Sequence, residues 1–227
     1  MSLFNNMPPA GSRPFAEQAG FAFPASLSEK YRPHSFSEFV GLEKPKKMLA
    51  RFAEAPKPCA WLFVGPSGTG KTTMALVLCQ AIRGELHHVP SQQCNVENLE
   101  NVVRQCHYVP STGHSFHVVL VDEADKMSKA AQLALLSRLD GTANPPNTIF
   151  IFTANETDGL EDRFLSRLLK AQFQSHGLAE ETAKLLETIW EREAGTAEKP
   201  NFLRIVRDSQ NNVRNALMTL ETELLAA

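Results

Sequence analysis

The run Gly65-Pro66-Ser67-Gly68-Thr69-Gly70-Lys71-Thr72 fits the pattern G-x-x-x-x-G-K-[ST] at every fixed position. Its residue types suit polyphosphate binding. Glycines at 65, 68 and 70 let backbone N–H groups turn inward and form an anion nest. Lys71 can reach β- and γ-phosphates, the Thr72 hydroxyl suits Mg²⁺, and Thr73 carries the chain into the next element. Asp122 and Glu123 close a second stretch, His117-Val118-Val119-Leu120-Val121. Beside a phosphate loop, Asp122 can hold Mg²⁺ through water and Glu123 can polarise an attacking water as general base. Taken alone, the two acids equally fit a helix N-terminus, whose dipole favours them. Asn155 follows the apolar run Thr148–Thr153, where it either orients a lytic water or ends a strand.

These groups need elements to hold them. Cys59–Val64 has the length and apolarity of a strand, and Thr73–Ile82 follows the loop as a helix, giving strand, glycine loop, helix. The helix aims the positive end of its dipole at the loop. The β-branched stretch at 117–121 and the run at 148–153 read as buried strands of a parallel sheet covered on both faces, with their polar residues at the carboxyl ends where such sheets bind ligands. Further strands are predicted within 85–92 and near Ala171–Gln174. Helices are predicted over Leu42–Ala55, from an Asn95 cap to about His107, from a Ser128 cap to Leu139, and over Asp158–Phe164. Gly141, Asn144, Pro145 and Pro146 predict a turn. Beyond 175 the pattern is wholly helical: Ala179–Glu193, Asn201–Asp208 and Asn211–Leu225.

The fold class expected is therefore α/β, with a parallel sheet flanked by helices and a small C-terminal helical domain. Residues 1–28 read as an extended or disordered arm, whose Phe15, Phe21 and Phe23 would dock on a neighbour if they dock at all. Residues 29–175 read as the nucleotide-binding domain and 176–227 as the helical one.

Of 227 residues, 43% are apolar, enough for a real core, and the net charge of −2 argues against a generally basic nucleic-acid coat. The cysteines at 59, 79, 94 and 106 show no spacing suited to zinc, and those in apolar runs read as small hydrophobes. His87 and His88 are adjacent, so on a strand they point opposite ways; they read as structural or solvated, not as a metal site. The sequence holds neither a secretory signal nor a membrane-length apolar run, which predicts an intracellular protein, cytoplasmic or nuclear, with no membrane partner.

The order of these pieces resembles the AAA+ P-loop ATPases, and among them the clamp-loader small subunits of the replication factor C type. Glu29-Lys30-Tyr31-Arg32-Pro33 with Phe39-Val40-Gly41 is similar to the family's opening segment. Gly65–Thr72 resembles its Walker A motif and Val121-Asp122-Glu123-Ala124-Asp125 its Walker B in D-E-A-D form. The helix from Lys126, including Gln132, Asn155 as sensor 1, Phe164-Leu165-Ser166-Arg167, and Asn212-Val213-Arg214-Asn215-Ala216-Leu217 as the sensor 2 helix complete the likeness over about 29–222. Leu168 stands where the family has cysteine.

The resemblance implies a five-stranded parallel sheet with a helical lid, and hydrolysis of ATP with Mg²⁺ on Thr72 and Asp122. Tyr31, Arg32, Pro33 and Val40 would lie along the adenine, and Gly65, Pro66, Ser67, Gly68, Thr69, Gly70, Lys71, Thr72 and Thr73 would hold the phosphates. Catalysis would use Glu123, Lys71, Asn155, Arg214 from the lid, and Arg167 inserted in trans into a neighbouring subunit's site. Partners implied are other AAA+ subunits, DNA in replication, and a sliding clamp, with Lys126 and Lys129 facing a duplex backbone and Gln132 coupling that helix to Glu123. The family's helical collar is not matched in this sequence. Two competing expectations are a nucleotide-controlled protein-interaction module and an AAA+ ATPase for recombination, transposition or helicase loading.

Overall fold

In the computed structural model, residues 25–90, 94–140, 145–175, 177–195 and 198–226 are described. The aromatic residues at 15, 21 and 23 and part of the turn at 141–144 lie outside them.

Five strands, β1 (Cys59–Val64), β2 (Gly84–Val89), β3 (Phe116–Val121), β4 (Thr148–Ala154) and β5 (Leu169–Gln172), form one parallel sheet in the order β2-β3-β4-β1-β5. Every residue of β4 is buried, as is all of β3 after Phe116. Such strands need cover on both sides. Alternation along them supplies two apolar faces. Ala60, Leu62, Val119, Val121, Phe150 and Phe152 pack beneath α4 (Val96–Gln105) and α5 (Lys129–Leu139). Trp61, Phe63, Val118, Leu120, Ile149 and Ile151 pack beneath α2 (Glu43–Glu54) and α3 (Lys71–Ala81). Asn95 caps α4 by accepting from the Asn98 N–H at 2.8 Å, and Ser128 caps α5 by accepting from Ala131 at 3.2 Å.

A third apolar cluster belongs to the lid, built from α7 (Ala179–Glu193), α8 (Phe202–Asp208) and α9 (Val213–Ala226) around Leu186, Trp190, Val206 and Leu220. Leu27 is buried in this same cluster. Residues 27 and 28 thus do not belong to an extended arm. They open a short helix, α1 (Leu27–Lys30), which burial of Leu27 fastens to the lid. Lys30 and Tyr31 strengthen the attachment by donating to Glu193 of α7. The start of the opening segment therefore packs on the lid, while Phe39 further along it is buried in the core of the α/β domain.

Other boundaries shift by a few residues. The last strand is Leu169–Gln172, two residues earlier than expected, because β5 pairs with β1 through Leu169–Trp61 to Gln172–Val64. The helix expected over 158–164 shortens to α6 (Asp162–Leu165), since Thr157–Leu160 forms a turn instead.

Candidate functional site

Parallel strands bring the loops after β1, β3 and β4 to one edge of the sheet, at their carboxyl ends. The chemistry-bearing residues gather there. Gly70, in the left-handed region at φ 89°, turns the loop into α3, so the first N–H groups of that helix face the loop's interior. Gly68 has φ 73°, and a Cβ there would lie 1.9 Å from Asn212 Oδ1. Only glycine permits both that backbone and that contact.

Lys71 is 8% exposed, and its Nζ donates to the Gly65 carbonyl at 2.7 Å, the Pro66 carbonyl at 2.9 Å and Asn155 Oδ1 at 3.0 Å. Burial holds its ammonium below the usual lysine pKa. Arg214 adds to the depression, while Asp125, Asp122 and Glu123 oppose it. Two cations near one partly dry cleft favour a polyanion between them.

Asp122 is the hub of the other half. Its Oδ1 accepts from Thr72 Oγ1 at 2.9 Å and from Thr153 Oγ1 at 2.8 Å, and its Oδ2 lies 2.8 Å from His88 Nε2. Thr153 also accepts the Glu123 backbone N–H at 3.1 Å, so one buried hydroxyl sets both acids. Thr72 and Asp122 offer hard oxygens side by side, the donor type that suits Mg²⁺, which is held by one or two carboxylates together with substrate phosphates and water. Those residues fit the ion. Glu123 sits at φ 53°, and its carboxylate is held by Lys126 Nζ at 2.6 Å.

Two adjoining clefts meet at Arg214. One, lined by Lys71, Thr72, Asp122, Glu123 and Asn155, has the phosphate chemistry. The other runs between opening segment, loop and lid, and is lined by Tyr31, Arg32, Pro33, Val40, Thr69 and Thr73 among others. Gly65 and Pro66 line neither; their carbonyls face Lys71. The lid touches the loop directly, through Asn212 Nδ2 donating to the Ser67 carbonyl at 3.1 Å.

Four further residues singled out in the sequence line neither cleft. Arg167 is outside both clefts, paired with Asp140 of its own chain at 2.6 Å and donating to the Arg163 carbonyl. Lys126 is engaged by Glu123 and Lys129 by Glu161 at 3.1 Å, so each carries an acidic partner. Gln132 does not reach Glu123. It is 1% exposed and ties α5 to the turn before α6, donating to the Gly159 carbonyl at 2.9 Å and accepting the Glu161 N–H at 2.9 Å.

Sequence reasoning gave no site role to His88 and Thr153, and placed Asn212 in the sensor 2 stretch without its contact to the phosphate loop. Strand parity carried a partial signal: in the β2–β3 register His88 is opposite Leu120, on the face that leads to Asp122. Nothing local marked Thr153, one buried threonine among apolar neighbours.

Comparison with known proteins accords with this geometry. A profile of the ATPase family associated with various cellular activities (AAA) matches residues 61–175. Replication factor C small subunit 2 of Pyrobaculum aerophilum is 35% identical over 200 residues, covering 85% of this chain and 62% of that protein. The small subunit of Thermofilum pendens is 32% identical, over 85% of this chain and 61% of its own length. The chain thus spans about three fifths of the length of these relatives. Among solved structures, the Thermotoga maritima RuvB Holliday junction branch migration motor shares the fold with a TM-score of 0.70 at 20% identity, over 84% of this chain and 64% of that one. With its glycine loop, paired acids and helical lid in this order, the chain belongs to the AAA family of ATPases and is similar within it to replication factor C small subunits.

Proposed function

We propose that the chain binds ATP with Mg²⁺ between its α/β domain and lid and hydrolyses it as one subunit of a clamp-loader-like assembly acting on DNA. The observation that carries this reading is the meeting of Lys71, Thr72–Asp122, Glu123, Asn155 and lid Arg214 around one pair of clefts. Thr72 and Asp122 would hold Mg²⁺, which when bound neutralises charge on the phosphates. Lys71 and the α3 N-terminus bind the anionic groups, and Arg214 lets lid position report on them. Asn155, held at its Oδ1 by Lys71, has amide protons left to orient water. Glu123 accepts the proton of that water once its carboxylate leaves Lys126.

Two intramolecular pairs support turnover that depends on assembly. Lys126 holds the proposed base, and Asp140 holds Arg167. A neighbouring phosphate would draw Arg167 from Asp140, and an arginine supplied in trans is worth about 10³-fold or more in rate. A DNA backbone would compete with Glu123 for Lys126. Both steps release catalytic groups only where subunits and DNA meet.

The test is ATP turnover per subunit against protein concentration, with and without primed DNA. Turnover is expected to rise with both, to vanish in Glu123→Gln while ATP binding persists, and to lose its concentration dependence in Arg167→Ala. Turnover per subunit that is flat with dilution and unmoved by DNA would overturn the assembly reading and favour a nucleotide-controlled interaction module.

A further inference from the structure

At the opposite end of the sheet from the phosphate loop, β2 and β3 bury a second polar cluster. In the parallel register Glu85 is opposite His117 and His87 is opposite Val119, so Glu85, His87 and His117 share one face. α4 covers that face, and its C-cap residue, Cys106, is fully buried. His87 Nε2 lies 2.9 Å from His117 Nδ1, and one ring nitrogen of each histidine and Cys106 Sγ are all within 4.8 Å of one another. Glu85 Oε2 stands 3.5 Å from the same His117 nitrogen, positioned by the Ser111 N–H at 2.9 Å.

The hydrogen bonding prepares the ring nitrogens. His117 Nε2 is 2.9 Å from the Tyr108 carbonyl oxygen. A carbonyl only accepts, so Nε2 carries the proton and Nδ1 turns a lone pair toward His87, Cys106 and Glu85. A histidine whose outer N–H is held by a backbone carbonyl has the tautomer and orientation of a metal ligand. His117 is buried, whereas His87 is half-buried and leaves a route for an ion to enter.

We propose that His87, Cys106, His117 and Glu85 form a tetrahedral site for a zinc-class divalent ion. Bonds of about 2.0–2.1 Å to nitrogen and oxygen and about 2.3 Å to sulfur require ligand-to-ligand edges of roughly 3.3–3.6 Å. His87 and His117 at 2.9 Å and the three-residue group within 4.8 Å lie near those edges, and Glu85, outside that group but 3.5 Å from His117 Nδ1, completes the site by rotating its side chain inward. One thiolate with two imidazoles selects zinc over magnesium or calcium, which want oxygen. Binding breaks the Cys106 S–H bond and forms Zn–S, releasing one proton to solvent. His87 shifts its proton from Nε2 to Nδ1, with no net loss. His117 lies in β3, five residues before Asp122, so this site is about 17 Å from the nucleotide's ion. Its role is structural: it pins the end of α4 to the first half of β2 and β3.

Cobalt titration of the chelator-treated chain, without nucleotide, is the experiment. One equivalent is expected to give a tetrahedral d–d spectrum and a thiolate-to-cobalt charge-transfer band, with one proton released, and zinc is expected to abolish the band by displacement. Cys106→Ser should remove the band. His87→Gln and Glu85→Gln, at part-exposed positions that leave the fold intact, should weaken binding, His87→Gln by more than the roughly 100-fold that a supporting residue can cost. Asp122→Asn should leave the band in place, which separates this site from the nucleotide's. A band that survives Cys106→Ser, or no saturable cobalt binding by the folded chain, would overturn the proposal.

Discussion

Thr153→Val is the sharpest test of how the two acids are set. Thr153 Oγ1 donates to Asp122 Oδ1 at 2.8 Å and accepts from the Glu123 N–H at 3.1 Å, while its side chain is 2% exposed. Valine keeps the shape and removes both bonds. A hydrogen bond to a charged group contributes about 1.5–3 kcal/mol. If that energy is spent holding Asp122 and Glu123 in their reactive positions, its loss is worth about 10- to 150-fold in rate, at about 1.4 kcal/mol per tenfold. The assay is steady-state ATP turnover at saturating Mg²⁺, together with nucleotide affinity measured with and without Mg²⁺. The expected pattern is a fall in kcat by that factor, affinity unchanged in chelator, and a smaller gain in affinity on adding Mg²⁺. Thr153→Ser, which restores the hydroxyl at a cost of about 0.8 kcal/mol in buried methyl, should recover most of the rate. A valine variant within twofold of the parent, or a serine variant as slow as valine, would refute the positioning role. The affinity comparison keeps the test informative even where turnover is slow.

Lys126→Ala removes the cation that holds Glu123; the pair is solvent-exposed and weak, so turnover of the unassembled chain should rise by no more than about fivefold. A fall, measured at low protein concentration without DNA, would mean that Lys126 assists the chemistry instead of restraining it. Burial pushes the Cys79 and Cys94 thiols up to about 11 and Cys106 to about 12. A folded pKa above the unfolded one stabilises fully below the ordinary thiol value near 8.5 and fades as pH rises through the folded value. Metal-free protein should therefore lose stability in urea unfolding from about pH 8.5 toward 11, and the Cys79→Ala/Cys94→Ala variant should lose less. Lys71 works in the opposite sense, because its lowered pKa adds stability as pH rises toward the ordinary lysine value, so parent and variant must be compared at each pH. Equal slopes for the two would sink the thiol assignment.

Much of the fold was legible because its information is local. A buried β-branched run such as 117–121 needs cover on both faces wherever it sits, and a glycine loop between strand and helix has few other uses. The Asn95 and Ser128 caps rest on bonds within three residues. Leu27 was not legible: one leucine in a stretch with prolines carries no periodicity, and only the lid's apolar cluster gives it a place. Strand β5 slipped by two residues because its four positions are mostly exposed and its limits are set by pairing with β1.

The site divides along the same line. Residue type and order alone brought out Lys71, Thr72, Asp122, Glu123 and Asn155, because a phosphate loop and acids at strand ends are chemical statements that survive without coordinates. Tertiary structure decided what each group touches. It turned Gln132 toward Gly159 and Glu161, gave Lys126 to Glu123 and Arg167 to Asp140, and drew His88 and Thr153 onto Asp122. It also joined His87 to Cys106 and His117, partners up to 30 positions away. The sequence could order the ligands along the chain, but only strand register and helix packing bring their atoms within a few ångströms of one another.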